Sequence, residues 1–438
     1  MIDRALLVRA AALYGPMLLA ASLASRHPRD RRQTGALLVG FAWCLPSLLL
    51  VQMLNLHFHW WSFHISGGVL RSMPVDLYLG WAVLWGILPA LAFPRQKLWI
   101  VLLVFLGFDL IAMPACAPVV EFSHRWLIGE MAALCLVLLP ALLFARWTLN
   151  DTHLHPRIWM HVAMAGGVLL FLPPEIGLAV TGRDPWKALL ASPPWLRGLE
   201  LQLVILLASG GVSAVQEFAR RGLGTPIPYD PPRRLVASGL YRYLANPMQT
   251  FCAVTLTAWG LTLQAPWITG SGAISVIYSL GLARWDEGED LKERFGDSWL
   301  LYRRHVRNWK PRWRPWHNPE APVPCLYIAE ECGPCSQVRR WFEDRNPAAL
   351  RILAAEDHLS TQLTRITYDP MDGTPPESGV AAFARGLEHL HFGWAWLGAG
   401  LRLPLVRHMT QFLLDAGGLG PQRIERGNCR TAAESKII

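Results

Sequence analysis

The sequence predicts a polytopic α-helical membrane protein of about nine transmembrane helices followed by a small α/β domain. Three observations carry this prediction. Of 438 residues, 52% are hydrophobic and only 17% are charged, too apolar a balance for an ordinary soluble domain. Apolar stretches of roughly the twenty residues a helix needs to cross hydrocarbon recur from Ala5 to Ala283. From about Ala321 the chain turns polar and reads as a separate soluble domain. A net charge of +9 would suggest nucleic acid in a soluble protein. Here the basic residues cluster in loops between apolar stretches, which excludes nucleic acid as a partner and favours the lipid bilayer.

The expected spans are Ala5–Ala24, Ala36–Leu54, Asp76–Phe93, Leu98–Val119, Trp126–Trp147, Ile158–Val180, Leu199–Ala219, Pro247–Gln264 and Pro266–Ala283. The last two share only a brief turn and read as a tight helical hairpin. The first resembles a signal peptide in length, but the basic run Arg26, Arg29, Arg31, Arg32 behind it argues against export of that side, so it reads as an anchor. Lys and Arg in the first, third, fifth and seventh loops outnumber those on the opposite side 13 to 6. The positive-inside rule then places the amino terminus outside the plasma (inner) membrane and the carboxyl tail in the cytoplasm.

Residues 1–180 carry little chemistry and resemble no family. His57, His59 and His64 beside Trp60 and Trp61 have metal-ligating side chains, yet an interfacial aromatic belt explains them more cheaply, so no metal is assigned. Asp109, Glu130 and Glu175 lie inside apolar runs, where a carboxyl group faces a cavity or a partner. Cys44, Cys116, Cys135 and Cys252 sit in apolar stretches as small hydrophobes, and Cys325, Cys332, Cys335 and Cys429 in the tail.

The stretch Gly222–Gln249 is dense in Pro, Gly, Arg and Tyr and reads as an ordered polar loop at the membrane surface. Its Gly224-Thr225-Pro226, Asp230-Pro231-Pro232, Leu235-Val236, Gly239, Tyr241-Arg242-Tyr243 and Asn246-Pro247-Met248 resemble the membrane methyltransferases related to isoprenylcysteine carboxyl methyltransferase and the phospholipid methyltransferases. Asp286-Glu287, Leu291, Phe295-Gly296, Trp299 and Tyr302 are similar to that family's second signature. The chain departs from it at Ala245, often Arg there, at Asn246, often His, and at Gly288 within the acidic group. The resemblance spans about residues 200–311 and assigns 181–311 to such a domain.

The resemblance implies S-adenosylmethionine as methyl donor and a lipidic or isoprenoid acceptor. It implies a donor pocket closed by loops and the cytosolic ends of helices. On that reading Tyr241 and Tyr243 line the pocket and attract the sulfonium. Arg242 and Asn246 meet the carboxylate or the adenine, Glu287 takes the ribose or ammonium, and Tyr302 lies at the rim. Pro247 opens the next helix and aims Asn246 from its cap. Interfacial anchoring is the plainer role for each tyrosine. An acceptor that must lose a proton would call on Asp286, Glu287 or Glu289 as base.

Residues Trp285–Arg307 fit an amphipathic helix, and the Trp- and Pro-rich run Asn308–Trp316 a semi-rigid segment at a headgroup surface. Residues 312–323 are assigned as a linker, 324–420 as the α/β domain and 421–438 as a tail without fixed structure. Within the α/β domain a short strand at Leu326-Tyr327-Ile328 leads to Cys332-Gly333-Pro334-Cys335 and a helix. A thiolate at a helix start is stabilised by free backbone donors, so Cys332 attacks and Cys335 resolves. The motif resembles thioredoxin-like redox proteins, and with Gly386–Trp396 and Leu403-Pro404 it resembles the DCC thiol-disulfide oxidoreductases. Pro375 is the candidate for the proline that such folds turn toward the dithiol; half of a zinc site is the rival reading. Two other functions stay open: a membrane reductase using a nicotinamide cofactor with the dithiol tail as partner, and a transporter or scaffold with a thiol-handling tail.

Overall fold

The computed structural model describes residues 3–26, 30–65, 67–227, 229–278, 284–330, 332–358 and 363–421, leaving aside the side chains of 278 and 284–289. Seven helices among them are long and apolar enough to cross a membrane: α1 Arg4–Ser25, α2 Arg31–Phe58, α3 Val75–Ala92, α4 Leu98–Ala115, α5 Trp126–Leu149, α6 Leu154–Thr181 and α7 Pro194–Gly222. Their outward faces stay apolar, with Ile111 and Val180 largely exposed, as lipid-facing surfaces require. The last two expected spans are shorter. They are α8 Pro247–Thr262, of 16 residues, and α9 Pro266–Tyr278, of 13 described residues. At 1.5 Å per residue they reach about 24 and 20 Å, short of roughly 30 Å of hydrocarbon. Left-handed Gln264 and the proline opening α9 cut the turn out of the apolar run. Seven spans, not nine, meet the length among the described residues, and Ala283 lies outside them.

The chain forms two compact units. One comprises residues 1–204, 222–233 and 254–274, and the other 205–221, 234–253 and 275–438. The second therefore draws on both the expected membrane domain and the expected soluble tail.

In the first unit α3 packs closely against α1 and α2 through glycine. A Cβ on Gly80 would sit 2.1 Å from the Ala12 carbonyl oxygen, and one on Gly40 2.3 Å from that of Gly86. Two π turns, Leu134–Leu138 in α5 and Gly167–Phe171 in α6, each end two residues before a proline. Proline has no N–H and its ring crowds the carbonyl four residues back, which a widened turn relieves. Buried Leu49, Trp85, Val137 and Phe144 belong to the apolar interior. Glu175, fully buried, accepts from Arg71 at 2.5 and 2.9 Å and from the Trp186 indole at 2.7 Å, a structural hydrogen-bonded role. Asp109 and Glu130 lie side by side near Trp85. His64 pairs with Glu121 across the β1 (Trp61–Phe63) and β4 (Val120–Phe122) ladder; the hairpin β2 (Val69–Leu70) and β3 (Met73–Pro74) lies between them in sequence.

In the second unit a four-stranded sheet is formed by β5 Cys325–Ile328, β6 Arg351–Ala354, β7 Thr367–Asp369 and β8 Glu377–Ser378, in the order β6-β5-β7-β8. β5 and β6 are parallel; β7 runs antiparallel to both β5 and β8. α10 Arg284–His305 precedes the sheet, α11 Gly333–Glu343 joins β5 to β6, and α12 Val380–Leu387, α13 Phe392–Leu401 and α14 Pro404–Leu414 follow β8. Leu326, Ile328, Phe342, Tyr368 and Leu387 form the core of this part. The expected amphipathic helix breaks inside α10 at Gly296, whose φ of 53° and ψ of −129° an L side chain resists. The Trp- and Pro-rich run is no free spacer. Its Arg312 and Trp316 amides donate to the Tyr243 and Arg242 carbonyls at 3.1 and 3.0 Å, and its Trp313 carbonyl accepts from Phe392. Trp316 is buried against Tyr302 and Val306. The segment expected to have no fixed structure falls, from residue 422 on, outside the described residues.

Candidate functional site

The tyrosine-rich signature folds into a 3-10 turn, Gly239–Arg242, that only glycine starts easily. Gly239 has φ +60°, and its buried amide donates to Glu388 Oε2 at 2.9 Å. The tyrosines turn inward. Tyr243, fully buried, donates to the Glu388 carbonyl at 2.9 Å, and Tyr302 to that of Tyr241 at 2.8 Å. Burial pushes both phenols upward, so both act as neutral donors. The Tyr241 hydroxyl lies 3.5 Å from the Ala214 carbonyl oxygen. Asn246 Oδ1 accepts from the Gln249 amide at 3.3 Å at the start of α8, which Pro247 opens. Asp230 of the same signature belongs to the first unit, where buried Arg157 donates to it at 2.5 Å. Glu287, with Asp286 and Glu289, falls in the opening turns of α10, and these side chains lie outside the described residues.

Among the described side chains, Arg242 is the one expected donor-binding residue that lines a cavity of about 330 Å³, whose walls also include Arg221, Arg234, His317, Thr374 and Arg385. Arg242 is 7% exposed, and its Nε has no hydrogen-bond partner. None of Tyr241, Tyr243 and Tyr302 lines this cavity. Arg385 anchors a buried charge cluster behind the wall. It donates to Glu377 and Glu217 at 2.8 Å and to Glu388 at 3.1 Å. Arg402 completes the cluster at 3.0 Å from Glu217 and 2.7 Å from Glu388. Burial pushes the Glu377 carboxyl up, but Arg385 and Arg402 outweigh it and hold the group below its usual range. Sequence reasoning missed Glu217, Arg385, Glu388 and Arg402. The available signal was charge inside the apolar stretch Val380–Leu390, where an ion needs a partner.

Cys332 is the N-cap of α11, in extended backbone with no side-chain cap bond, and Cys335 lies in the first turn. Both are free thiols. Burial, then the hydrogen bond and charge of Cys332, push Cys335 up to about 12. The dithiol follows β5, whereas Pro324, before β5, lines the cavity, so strand β5 separates the two. Because β7 runs antiparallel to β5, the β7–β8 loop holding Pro375 lies at the Pro324 end of the sheet. Pro375 therefore does not face the dithiol; on that side β7 is entered from Ile366. No group of three or more His, Cys, Asp or Glu able to hold a metal occurs among the described residues.

Comparisons of the chain with protein-family models, curated proteins and solved structures find no match. Function therefore rests on the geometry of these two places, the cavity and the dithiol.

Proposed function

We propose that this integral membrane protein is a methyltransferase, with S-adenosylmethionine as donor and a lipidic or isoprenoid acceptor, that carries a cytoplasmic thiol-disulfide exchange domain. Of the two activities the geometry supports exchange best. The observation that carries it is a dithiol at a helix start directly after a strand, with the inner thiol holding its proton. The sheet order β6-β5-β7-β8, with one parallel and two antiparallel pairings, supports a thioredoxin-like reading. In the exchange the Cys332 thiolate attacks one sulfur of a partner disulfide, forming a mixed disulfide and releasing one partner thiolate. Cys335 then gives up its proton and attacks Cys332 Sγ. The second partner thiolate leaves and takes up a proton, so the partner disulfide is reduced by two electrons as the Cys332 and Cys335 thiols are oxidised to a disulfide. Cys335→Ser in the full-length protein should trap mixed disulfides at Cys332, and absence of capture there would remove the activity.

Methyl transfer is supported by the meeting of the two signature stretches. Tyr302 bonds to the Tyr241 carbonyl, and the Ala245 amide donates to that of Arg307 at 3.0 Å. The cavity fits only one end of the donor. Arg242 suits its carboxylate, but a sulfonium there would face Arg221, Arg234 and Arg242. No methyl-transfer step is derived through this cavity; the cationic part of the donor would require Asp286, Glu287 or Glu289. Calorimetric titration of the full-length protein with S-adenosylmethionine tests the reading. Glu287→Ala should weaken binding roughly 10- to 150-fold, and an unaltered affinity would remove Glu287 from the donor site. The same basic wall favours the second reading, a reductase, since arginines suit the pyrophosphate of a nicotinamide dinucleotide. Retention of that nucleotide by the purified protein would decide for it.

We also propose that the amino terminus lies outside and the tail in the cytoplasm. The seven-span count supports this, because α8 and α9 leave and return to one side whether or not they cross. Reporters fused after Trp316 and within Thr181–Arg197 should report opposite sides; the same side for both would end this topology.

A further inference from the structure

The wall of the 330 Å³ cavity holds more positive charge than its own acids neutralise. Arg385 is satisfied by Glu217, Glu377 and Glu388. Arg221 lies 3.4 Å from Asp372, the only acid lining the cavity among the described residues, and 3.8 and 3.9 Å from Glu217 and Glu377, and it also donates to Thr374. Arg234 and Arg242 have no carboxylate within ion-pair distance among the described residues. Arg234 is exposed at the rim. Arg242 is buried, with its Nε unpartnered, and the Nε2 of His317 is buried and unpartnered beside it. Burial, with Arg242 close by, holds the His317 imidazole below its usual range.

A buried guanidinium without a counter-ion is costly, and a ligand that brings negative charge recovers that cost. The guanidinium fork matches the oxygens of an oxyanion. We propose that this cavity binds a phosphate group, held by Arg242 from within and Arg234 at the rim. Two unpaired cations match a dianion better than a carboxylate. The cavity lies in the size range of small-molecule sites and exceeds a bare phosphate, so the ligand carries a body that packs on Leu235, Trp316, Pro324 and Pro370. The assignment is independent of which reaction the chain performs. A soluble phosphate ester and a phosphomonoester lipid head group share the chemistry, and the test separates them.

Full-length protein in phosphatidylcholine nanodiscs would be titrated calorimetrically with glycerol 3-phosphate and with inorganic phosphate at constant ionic strength. A parallel set of nanodiscs would contain phosphatidate. A soluble ligand binds in the first arm. A lipid ligand gives no heat there but stabilises the protein in the second. Arg242→Gln should weaken binding at least about tenfold, and Arg234→Gln should weaken it less. Ser298→Trp, an exposed change on the cavity wall, should block it; if Arg242→Gln yields no folded protein, Ser298→Trp decides alone. Absence of binding in both arms overturns the proposal, as does binding that Ser298→Trp and Arg234→Gln leave unchanged.

Discussion

The dithiol turn and the tyrosine turn are short motifs of the same compact unit, and they use their side chains in opposite ways. Cys332 caps a helix with its sulfur bonded to no backbone amide of that helix, and its partner Cys335 is pushed toward a protonated state. Tyr241, Tyr243 and Tyr302 are buried, and the Tyr243 and Tyr302 hydroxyls donate to the carbonyls of Glu388 and Tyr241. A cluster of reactive residue types thus marks a place in the chain without saying which way its side chains face. At one turn both thiols are free; at the other the tyrosines are buried on either side of Arg242, which lines the cavity.

The largest expected effect breaks the comparison at the dithiol. With Cys335 at about 12 against an ordinary thiol near 8.5, its thiolate fraction near neutral pH falls on the order of a thousandfold. Alkylation of the reduced protein, mapped by mass spectrometry, should modify Cys332 well before Cys335; equal rates would erase the distinction between attacker and resolver. Next comes the charge cluster behind the tyrosine turn. Arg402→Met leaves buried Glu217 and Glu388 each short of a cation and should cost about 3–5 kcal/mol. Thermal unfolding in detergent measures this, and a loss well under about 1 kcal/mol would mean the cluster does not hold the turn. The smallest effect sharpens the comparison. Tyr243→Phe removes one buried donor and should cost about 1–2 kcal/mol while leaving phosphate affinity unchanged. A variant of full stability that had lost ligand binding would make Tyr243 a pocket residue after all.

What the sequence showed follows from distance along the chain. The seven spans and the strand–Cys–helix turn are written in windows of about twenty residues, where hydropathy and periodicity act locally. The cap at Asn246-Pro247 is equally local. The eighth and ninth spans fall short of the crossing length among the described residues for a local reason too, because the left-handed Gln264 is invisible to a hydropathy window. The two arginines that donate to Glu217, Arg385 and Arg402, are 168 and 185 residues away, and no window tells which distant arginine will reach it. The orientation of Tyr243 depends on the same distant segment, through the Glu388 carbonyl.

That separation also sets a timetable for biosynthesis. Glu217 stands near the end of α7, and Arg385 is made 168 residues later. At about 5–20 residues per second the ribosome needs about 8–34 s to supply it. Until then the nascent carboxylate has neither of its distant cations, and only nearby Arg221, Ser238 and water are at hand to serve it. The end of α7 and the turn at Gly239, which waits for Glu388, are therefore completed only once the segment Arg385–Arg402 has been made, long after spans α1 to α6.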